Sequence, residues 1–166
     1  VDDAGNSSGA SWVDFDNDGN LDIYVTTAGV ANSLLHSLGE LGGGFFFFSP
    51  VAGASANIGN CRSAGWTDGD LDGRLDLYVV NSFTSNVMLA NTLQGFDDFT
   101  SSSGLGDMGN SSGCAWGDLD NDGDFDLYLA NNGMADRMYE CNGDFLYNLV
   151  IGNNLNDLGH AQSVAM

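Results

Sequence analysis

The chain has 166 residues, a length that suits one domain with its own core. Its 23 acidic residues are all Asp except Glu40 and Glu140, its three basic residues are all Arg, and the formal charge is −20. This charge repels nucleic-acid phosphates and anionic membrane surfaces, which argues against both as partners. No run of about 18 apolar residues occurs, so membrane insertion is not expected. With 24 Gly and one Pro, the composition favours β-structure with many tight turns.

A segment of about fifty residues occurs three times and begins a fourth time. Trp12, Trp66, Trp116 and Met166 end the opening segments of the four copies and lie 54, 50 and 50 residues apart. In each full copy, an Asp-rich loop is followed by three short apolar stretches. They are residues 22–25, 33–36 and 45–48 in the first copy, 76–80, 86–89 and 96–100 in the second, and 126–129, 137–140 and 145–150 in the third. Four short strands per copy predict an all-β fold of antiparallel, four-stranded blades of the β-propeller type. The predicted blades are residues 1–53, 54–103 and 104–153, and residues 154–166 are the opening strand of a further blade.

The three loops share the pattern Asp-x-Asp-x-Asp-Gly-x-x-Asp, which predicts three calcium sites. Ca²⁺ takes about six to eight oxygen ligands, and carboxylates at positions 1, 3 and 5 can converge on one ion while Gly at position 6 permits a sharp turn. The Asp at position 9 adds a further carboxylate, and position 7 offers its backbone carbonyl. The predicted ligands are Asp14, Asp16, Asp18, Asn20 and Asp22, then Asp68, Asp70, Asp72, Arg74 and Asp76, then Asp118, Asp120, Asp122, Asp124 and Asp126, with Asn20, Arg74 and Asp124 binding through the carbonyl.

Asp, Asn and Gly also form ordinary turns, but three loops in register with an aligned Gly favour a metal site. An EF-hand does not fit, because position 12 is Val25, Val79 or Leu129 instead of a bidentate Glu, and the flanking segments are strands. The loops resemble those of the FG-GAP/VCBS repeat family, and the lead-in segments 8–12 and 112–116 are similar to that family too. The resemblance implies a propeller of the integrin alpha-subunit type, with structural calcium and a secreted or cell-surface location.

Three blades are too few to close a ring, since propellers typically have about four to eight. We therefore expect a structural protein that assembles with other copies into an oligomer or filament through open blade edges, the segment Gly159 to Met166 completing a neighbouring blade. The alternative is a fragment of a larger propeller that serves as an adhesion module for a carbohydrate or protein ligand. Neither His36 nor His160 neighbours a plausible nucleophile, so an enzyme is not expected.

Four consecutive aromatic residues, Phe45, Phe46, Phe47 and Phe48, put large apolar groups on both faces of a strand. This pattern predicts either packing within the domain or, together with Met166, an interface with another copy. Two Asn-x-Ser sequences, at Asn6 and Asn110, match the acceptor pattern for glycosylation.

The Trp and Cys residues allow two interpretations each. Trp12, Trp66 and Trp116 are expected in the core, although exposed Trp residues also serve as platforms for sugars. Cys61, Cys114 and Cys141 fit no metal-binding spacing. They are either three buried thiols or one disulfide with a leftover thiol, and the sequence does not select the pair.

Overall fold

The computed structural model describes residues 6–40, 44, 46–54 and 59–150, which form three four-stranded antiparallel sheets. Sheet 1 contains β1 (Asn6–Val13), β2 (Asp22–Ala28), β3 (Ser33–Glu40) and β4 (Phe46–Val51). Sheet 2 contains β5 (Cys61–Thr67), β6 (Asp76–Asn81), β7 (Val87–Thr92) and β8 (Gly95–Asp98), and a one-turn helix, α1 (Thr100–Ser103), follows it. Sheet 3 contains β9 (Ser111–Gly117), β10 (Asp126–Asn131), β11 (Arg137–Cys141) and β12 (Tyr147–Leu149). The predicted all-β class with four antiparallel strands per sheet is confirmed, and the predicted opening strand at 154–166 lies outside the described residues.

Strand order within each sheet follows chain order, so every pair of neighbouring strands is joined by a hairpin or a loop. The opening strands lie along one edge of the sheets, where β1 contacts β5 and β5 contacts β9. The second strands are the most deeply buried, and every residue of β6 is buried. In β6, Leu77 and Val79 belong to the apolar cluster shared with sheet 1, and Tyr78 and Val80 to the cluster shared with sheet 3, as expected for a strand between two sheets. The fourth strands form the opposite edge.

All three fourth strands have bounds that differ from the prediction. β4 extends to Val51 instead of ending at Phe48, and β12 ends at Leu149 instead of Val150. β8 ends at Asp98 and not at Thr100, because the Asp98 carboxylate accepts the N–H of Thr100 (2.9 Å) and the chain turns into α1. β12 begins at Tyr147 and not at Phe145, because Asp144 and Phe145 have φ angles of 48° and 62°, which interrupt the extended backbone.

Two apolar clusters fill the junctions between successive sheets. At the first junction the ring of Tyr24 meets that of Trp66 edge-on, with centroids 5.8 Å apart and an interplanar angle of 88°. At the second junction Tyr78 meets Trp116 at 5.8 Å and 78°. Such pairs contribute about 0.5–1.5 kcal/mol beyond the burial of their area. The same contact, from Tyr of one sheet to Trp of the next, therefore joins each pair of sheets and places Trp66 and Trp116 against the core.

Backbone hydrogen bonds also repeat at the two junctions. Gly29 N–H donates to the carbonyl of Gly59 (3.0 Å), and at the equivalent positions Phe83 N–H donates to Gly109 (2.9 Å). Gly59 leaves no room for a side chain, because a Cβ there would lie 2.6 Å from the Asn81 amide oxygen. The junction is thus a repeated structural unit, with the same backbone and aromatic contacts each time.

The three cysteines are free, buried thiols, which favours the first of the two interpretations above. Burial raises the pKa of Cys61 to about 11 and that of Cys114 to about 12, so both remain protonated at neutral pH. In the part of the chain that the structure describes, no helix has the length and apolar character needed to cross a membrane.

Candidate metal centres

Three loops connect the first and second strands of the sheets: loop 1 (14–22), loop 2 (68–76) and loop 3 (118–126). Each loop bends through left-handed residues at positions 4 and 6. At position 6, φ is 87° for Gly19, 89° for Gly73 and 98° for Gly123. A residue with a Cβ is strained in this region, so Gly at position 6 is a requirement of the turn.

The first Asp of each loop fixes the turn by accepting backbone N–H groups. In loop 1, Asp14 Oδ1 accepts the N–H of Asp18 and Asp14 Oδ2 accepts that of Gly19, both at 3.0 Å. The equivalent bonds in loops 2 and 3 are 2.9 to 3.2 Å long. Each carboxylate oxygen still has a lone pair available for an ion.

The last Asp of each loop is buried and ties the loop to the rest of its sheet. Asp22 Oδ2 accepts the N–H of Phe15 (3.2 Å), while Oδ1 accepts the N–H of Ser37 in β3 (2.7 Å). Asp76 and Asp126 make the same two bonds at 2.8 to 3.0 Å. Position 9 therefore joins the start of the loop to the third strand of the sheet.

In each loop, three carboxylates bring one oxygen apiece to within 4.8 Å of one another. The groups are Asp14, Asp16 and Asp22, then Asp68, Asp70 and Asp76, then Asp118, Asp120 and Asp122. Oxygens bound to one Ca²⁺ at about 2.3–2.6 Å are at most about 5.2 Å apart, so this spacing fits that ion. In loop 3 the converging group contains Asp122 and omits Asp126. At position 7, the N–H groups of Asn20, Arg74 and Asp124 donate to the Asp two residues earlier, and ligation through their carbonyls stays a prediction.

The position-9 carboxylates are buried, whereas Asp16, Asp18 and the three converging carboxylates of loop 3 are exposed. Burial raises the pKa of Asp76 to about 6, with the charges of Asp70 and Asp68 adding to the effect. Burial also raises the pKa of Asp22 and of Asp70. Asp18 is the opposite case, because the N–H of Asn20 holds its pKa below the ordinary value. A bound dication would stabilise the ionised form of every one of these groups.

Two side chains near the loops, those of His36 and Arg74, make contacts that the sequence did not predict. His36 Nε2 lies 3.2 Å from Asp16 Oδ2 and 3.3 Å from Asp18 Oδ2, whereas sheets 2 and 3 have Ala90 and Glu140 at its position. Arg74, expected to act through its carbonyl, also pairs its guanidinium with Asp72 and donates from Nε to the carbonyl of Asn91 (2.7 Å). The Asp-rich pattern does not predict the contacts of His36 or the bond from Arg74 Nε to Asn91, because these depend on how the loop lies against the third strand.

The remaining candidates lie at several places in the fold. Asn6 is exposed on β1, while the Asn110 amide donates to the Asn132 carbonyl (3.0 Å) and its oxygen accepts from Ser82 Oγ (2.7 Å). Phe46 and Phe47 are exposed and Phe48 is half-buried. Phe45 and Met166 lie outside the described residues. Trp12 is 63% exposed, unlike Trp66 and Trp116. Glycosylation at Asn6 or Asn110 and an interface at the Phe residues stay predictions.

Two overlapping segments of the chain, residues 14–79 and 68–129, match the family model described as FG-GAP-like repeat. Each segment begins at the first Asp of a loop and ends within the second strand of the following sheet, so the match contains two loops every time. No curated protein shows significant similarity to the chain.

Proposed function

The chain belongs to the FG-GAP-like repeat family, and we propose that it is an extracellular structural module that three calcium ions stabilise. The observation that carries this proposal is the position-9 Asp, which bonds to the third strand of its sheet in all three loops and belongs to the converging carboxylates in loops 1 and 2. In this role calcium acts as a cross-link within the sheet. No catalytic function is proposed.

The proposed ligands hold the ion, and the ion supplies positive charge that offsets the repulsion among them. Without a cation, the charge of the loop carboxylates is offset by backbone N–H groups, by the Asn20 amide and His36 in loop 1, and by Arg74 in loop 2. At millimolar calcium, a site with a dissociation constant of about 10⁻⁴–10⁻³ M adds on the order of 1 kcal/mol to the free energy of unfolding. Three such sites are a substantial share of a typical stability of about 5–15 kcal/mol.

Calcium titration of the unfolding temperature tests this proposal. We expect the midpoint to rise with calcium between about 0.1 and 10 mM, and the rise to disappear in the triple variant Asp16→Asn, Asp70→Asn, Asp120→Asn. The single variant Asp97→Asn, at an exposed carboxylate of β8 outside the loops, is the control and keeps the full response. An undiminished calcium response in the triple variant would show that the ligand assignment is wrong.

We also propose that the module assembles with other copies of itself through the open side of sheet 1. Support comes from its large exposed apolar residues, among them Trp12, Leu21 and Phe46. Light scattering in calcium tests this, with an oligomer larger than one chain as the expected result.

The exposure of Trp12 also favours a second candidate function, that of a carbohydrate-binding adhesion module. The evidence for it would be a monomer that binds a glycan array through Trp12.

A further inference from the structure

At each junction between sheets, the second residue of a loop contacts the following sheet. Phe15 of loop 1 lies against Phe96 of sheet 2, with ring centroids 6.0 Å apart, and its carbonyl accepts a hydrogen bond from the Asn91 amide (2.8 Å). In loop 2 the equivalent residue is Gly69, whose carbonyl accepts the N–H of Phe145 in sheet 3 (3.3 Å). The ring of Phe145 occupies the space that the missing side chain leaves, since a Cβ on Gly69 would lie 2.7 Å from it. The loop and the following sheet are therefore complementary in shape at both junctions.

The side of sheet 1 that faces away from sheet 2 is here called the front face. It has the same kinds of residue as the side of sheet 2 that contacts sheet 1. Its Trp12, Leu21 and Phe48 are equivalent to Trp66, Leu75 and Phe96, which pack against sheet 1 at the first junction. On the front face, however, Trp12 is 63%, Leu21 58% and Phe46 64% exposed. These residues line a cavity of about 420 Å³, large enough for a bulky side chain.

The side of sheet 3 that faces away from sheet 2 is here called the rear face. Its residues correspond to those through which sheets 1 and 2 contact the sheet that follows them. Leu119 is the second residue of loop 3, at the position of Phe15 and Gly69, and it is 53% exposed. Tyr128 holds the position of Tyr24 and Tyr78, the tyrosines that meet Trp of the following sheet. Near it, Met138 is half-buried, although the equivalent Met88 is fully buried at the second junction.

We propose that the rear face of one copy docks on the front face of a second copy and reproduces the junction seen twice within the chain. Leu119 enters the cavity beside Trp12, and the ring of Tyr128 lies against that of Trp12. This inference rests on the proposed assembly and names the two faces that make it. Because the contact joins unlike faces, two copies can close a ring of six sheets, which is within the range of about four to eight blades that propellers have.

Charge makes this contact dependent on calcium. Asp118 and Asp120 flank Leu119, and the front-face cavity is bordered by Gly19 and Asn20 of loop 1. Docking therefore brings the carboxylates of loop 3 towards those of loop 1 on the second copy, and the repulsion falls when each loop holds a dication. The dimer is expected in millimolar calcium and a monomer in chelator.

Sedimentation equilibrium of the full chain in calcium tests the two faces separately. Leu119→Asp alters the rear face and Trp12→Arg the front face, and each is expected to raise the dimer dissociation constant at least about tenfold. Leu93→Asp is the matched control, because Leu93 is 84% exposed in the turn between β7 and β8, away from both faces. Retention of the calcium-dependent rise in unfolding temperature shows that each variant is folded.

Mixing the variants tests the pairing of unlike faces. The Trp12→Arg chain keeps an intact rear face and the Leu119→Asp chain an intact front face, so an equimolar mixture recovers a dimer although each variant alone is a monomer. A contact between two front faces predicts the opposite, since Leu119→Asp alone would then still dimerise.

The outcomes separate the two proposals. If the unaltered chain is a monomer in calcium, both the assembly and the docking faces are wrong. If it forms oligomers that neither substitution weakens, assembly stands and the assignment of the faces is wrong. If it forms open-ended polymers that both substitutions dissolve, the contact is supported and closure at six sheets is ruled out.

Discussion

At the scale of single residues, the two junctions differ by a compensating pair of substitutions. Trp66 Nε1 donates to Ser11 Oγ (3.1 Å), but the residue equivalent to Ser11 at the second junction is Gly65. Trp116 Nε1 is accordingly buried with no hydrogen-bond partner. A Cβ on Gly65 would lie 2.8 Å from Cys114 Sγ, and Cys114 stands where sheet 2 has Ala64. The larger Cys114 in β9 thus requires the smaller Gly65 in β5.

This compensation predicts a coupled double substitution. Gly65→Ser alone is expected to lower the free energy of unfolding by about 1–3 kcal/mol, because its Cβ would lie 2.8 Å from the Cys114 sulfur and 2.9 Å from Trp116 Nε1. Adding Cys114→Ala removes the sulfur and gives the Trp116 indole room to shift into the geometry of the first junction, where Ser11 accepts from the Trp66 indole. The double variant should recover at least about 1 kcal/mol relative to Gly65→Ser. Chemical denaturation in calcium measures all four chains, and simple additivity of the single effects would contradict the explanation.

Leu71 is the residue at which loop 2 departs from the other two loops. Its φ is 57°, a left-handed conformation that Asn tolerates better than Leu, and loops 1 and 3 have Asn17 and Asn121 there. In addition, Asn17 Nδ2 donates to the Gly73 carbonyl of the following loop (3.0 Å).

We therefore expect Leu71→Asn to raise the free energy of unfolding by about 1 kcal/mol, through relief of backbone strain and a new bond to loop 3. Thermal unfolding measures this change. Leu93→Asn is the control, because it replaces an exposed Leu without relieving backbone strain or adding a bond to loop 3. Equal effects of the two substitutions would show that strain at position 71 is not the cause.

At the scale of the loop and its strands, the carboxylates at positions 3 and 9 have different structural roles. Asp70 is half-buried and accepts a long bond from the N–H of Asp72 (3.2 Å), whereas Asp76 is buried and accepts the N–H groups of Gly69 and Asn91 at 2.8 Å each. Removal of Asp76 leaves two buried donors without partners, and each such group costs about 1–3 kcal/mol.

Chelator separates the two roles. In its presence, Asp76→Ala is expected to lower the free energy of unfolding by about 2–4 kcal/mol, while Asp70→Ala changes it by less than about 0.5 kcal/mol. In calcium both substitutions are destabilising, since both remove an ion ligand. Urea denaturation under the two conditions gives the comparison. Similar losses from both substitutions in chelator would mean that Asp76 acts only through the ion.

The sequence predicts these elements well where the interacting residues are close along the chain. The spacing from Asp14 to Asp22 dictates the loop and its turn, because the bonds within the loop join carboxylates to N–H groups at most seven residues away. The bond from the Ser37 N–H to Asp22, which spans 15 residues, lies outside this local pattern. The sequence does not predict contacts between elements. The approach of His36 to Asp16 depends on the register of β2 against β3. The presence of Phe at position 15 and Gly at position 69 is explained only by the residues of the following sheet that each one contacts. Register and junction geometry are tertiary properties that no local pattern contains.

At the scale of the whole molecule, the dominant feature is a charge of −20 on a chain with three Arg and no Lys. Loop 1 lies against loop 2, since Asn17 Nδ2 donates to the Gly73 carbonyl (3.0 Å). Three calcium ions would change the net charge from −20 to −14, and would do so where the carboxylates are most concentrated. Self-repulsion in the compact state is therefore strongest in the calcium-free chain.

The salt dependence of stability measures this repulsion. In chelator, raising NaCl from about 0.01 to 1 M shortens the Debye length from about 30 to 3 Å, so we expect the unfolding temperature to rise steeply. In saturating calcium the rise should be much smaller, because the ions already offset the closest charges. A triple Asn variant at Asp16, Asp70 and Asp120 should show an intermediate dependence in chelator, since it lacks three of those carboxylates but binds no calcium. Equal salt dependence with and without calcium would mean that the ions stabilise the sheets through geometry alone, and that the charge of the loops is balanced by other means.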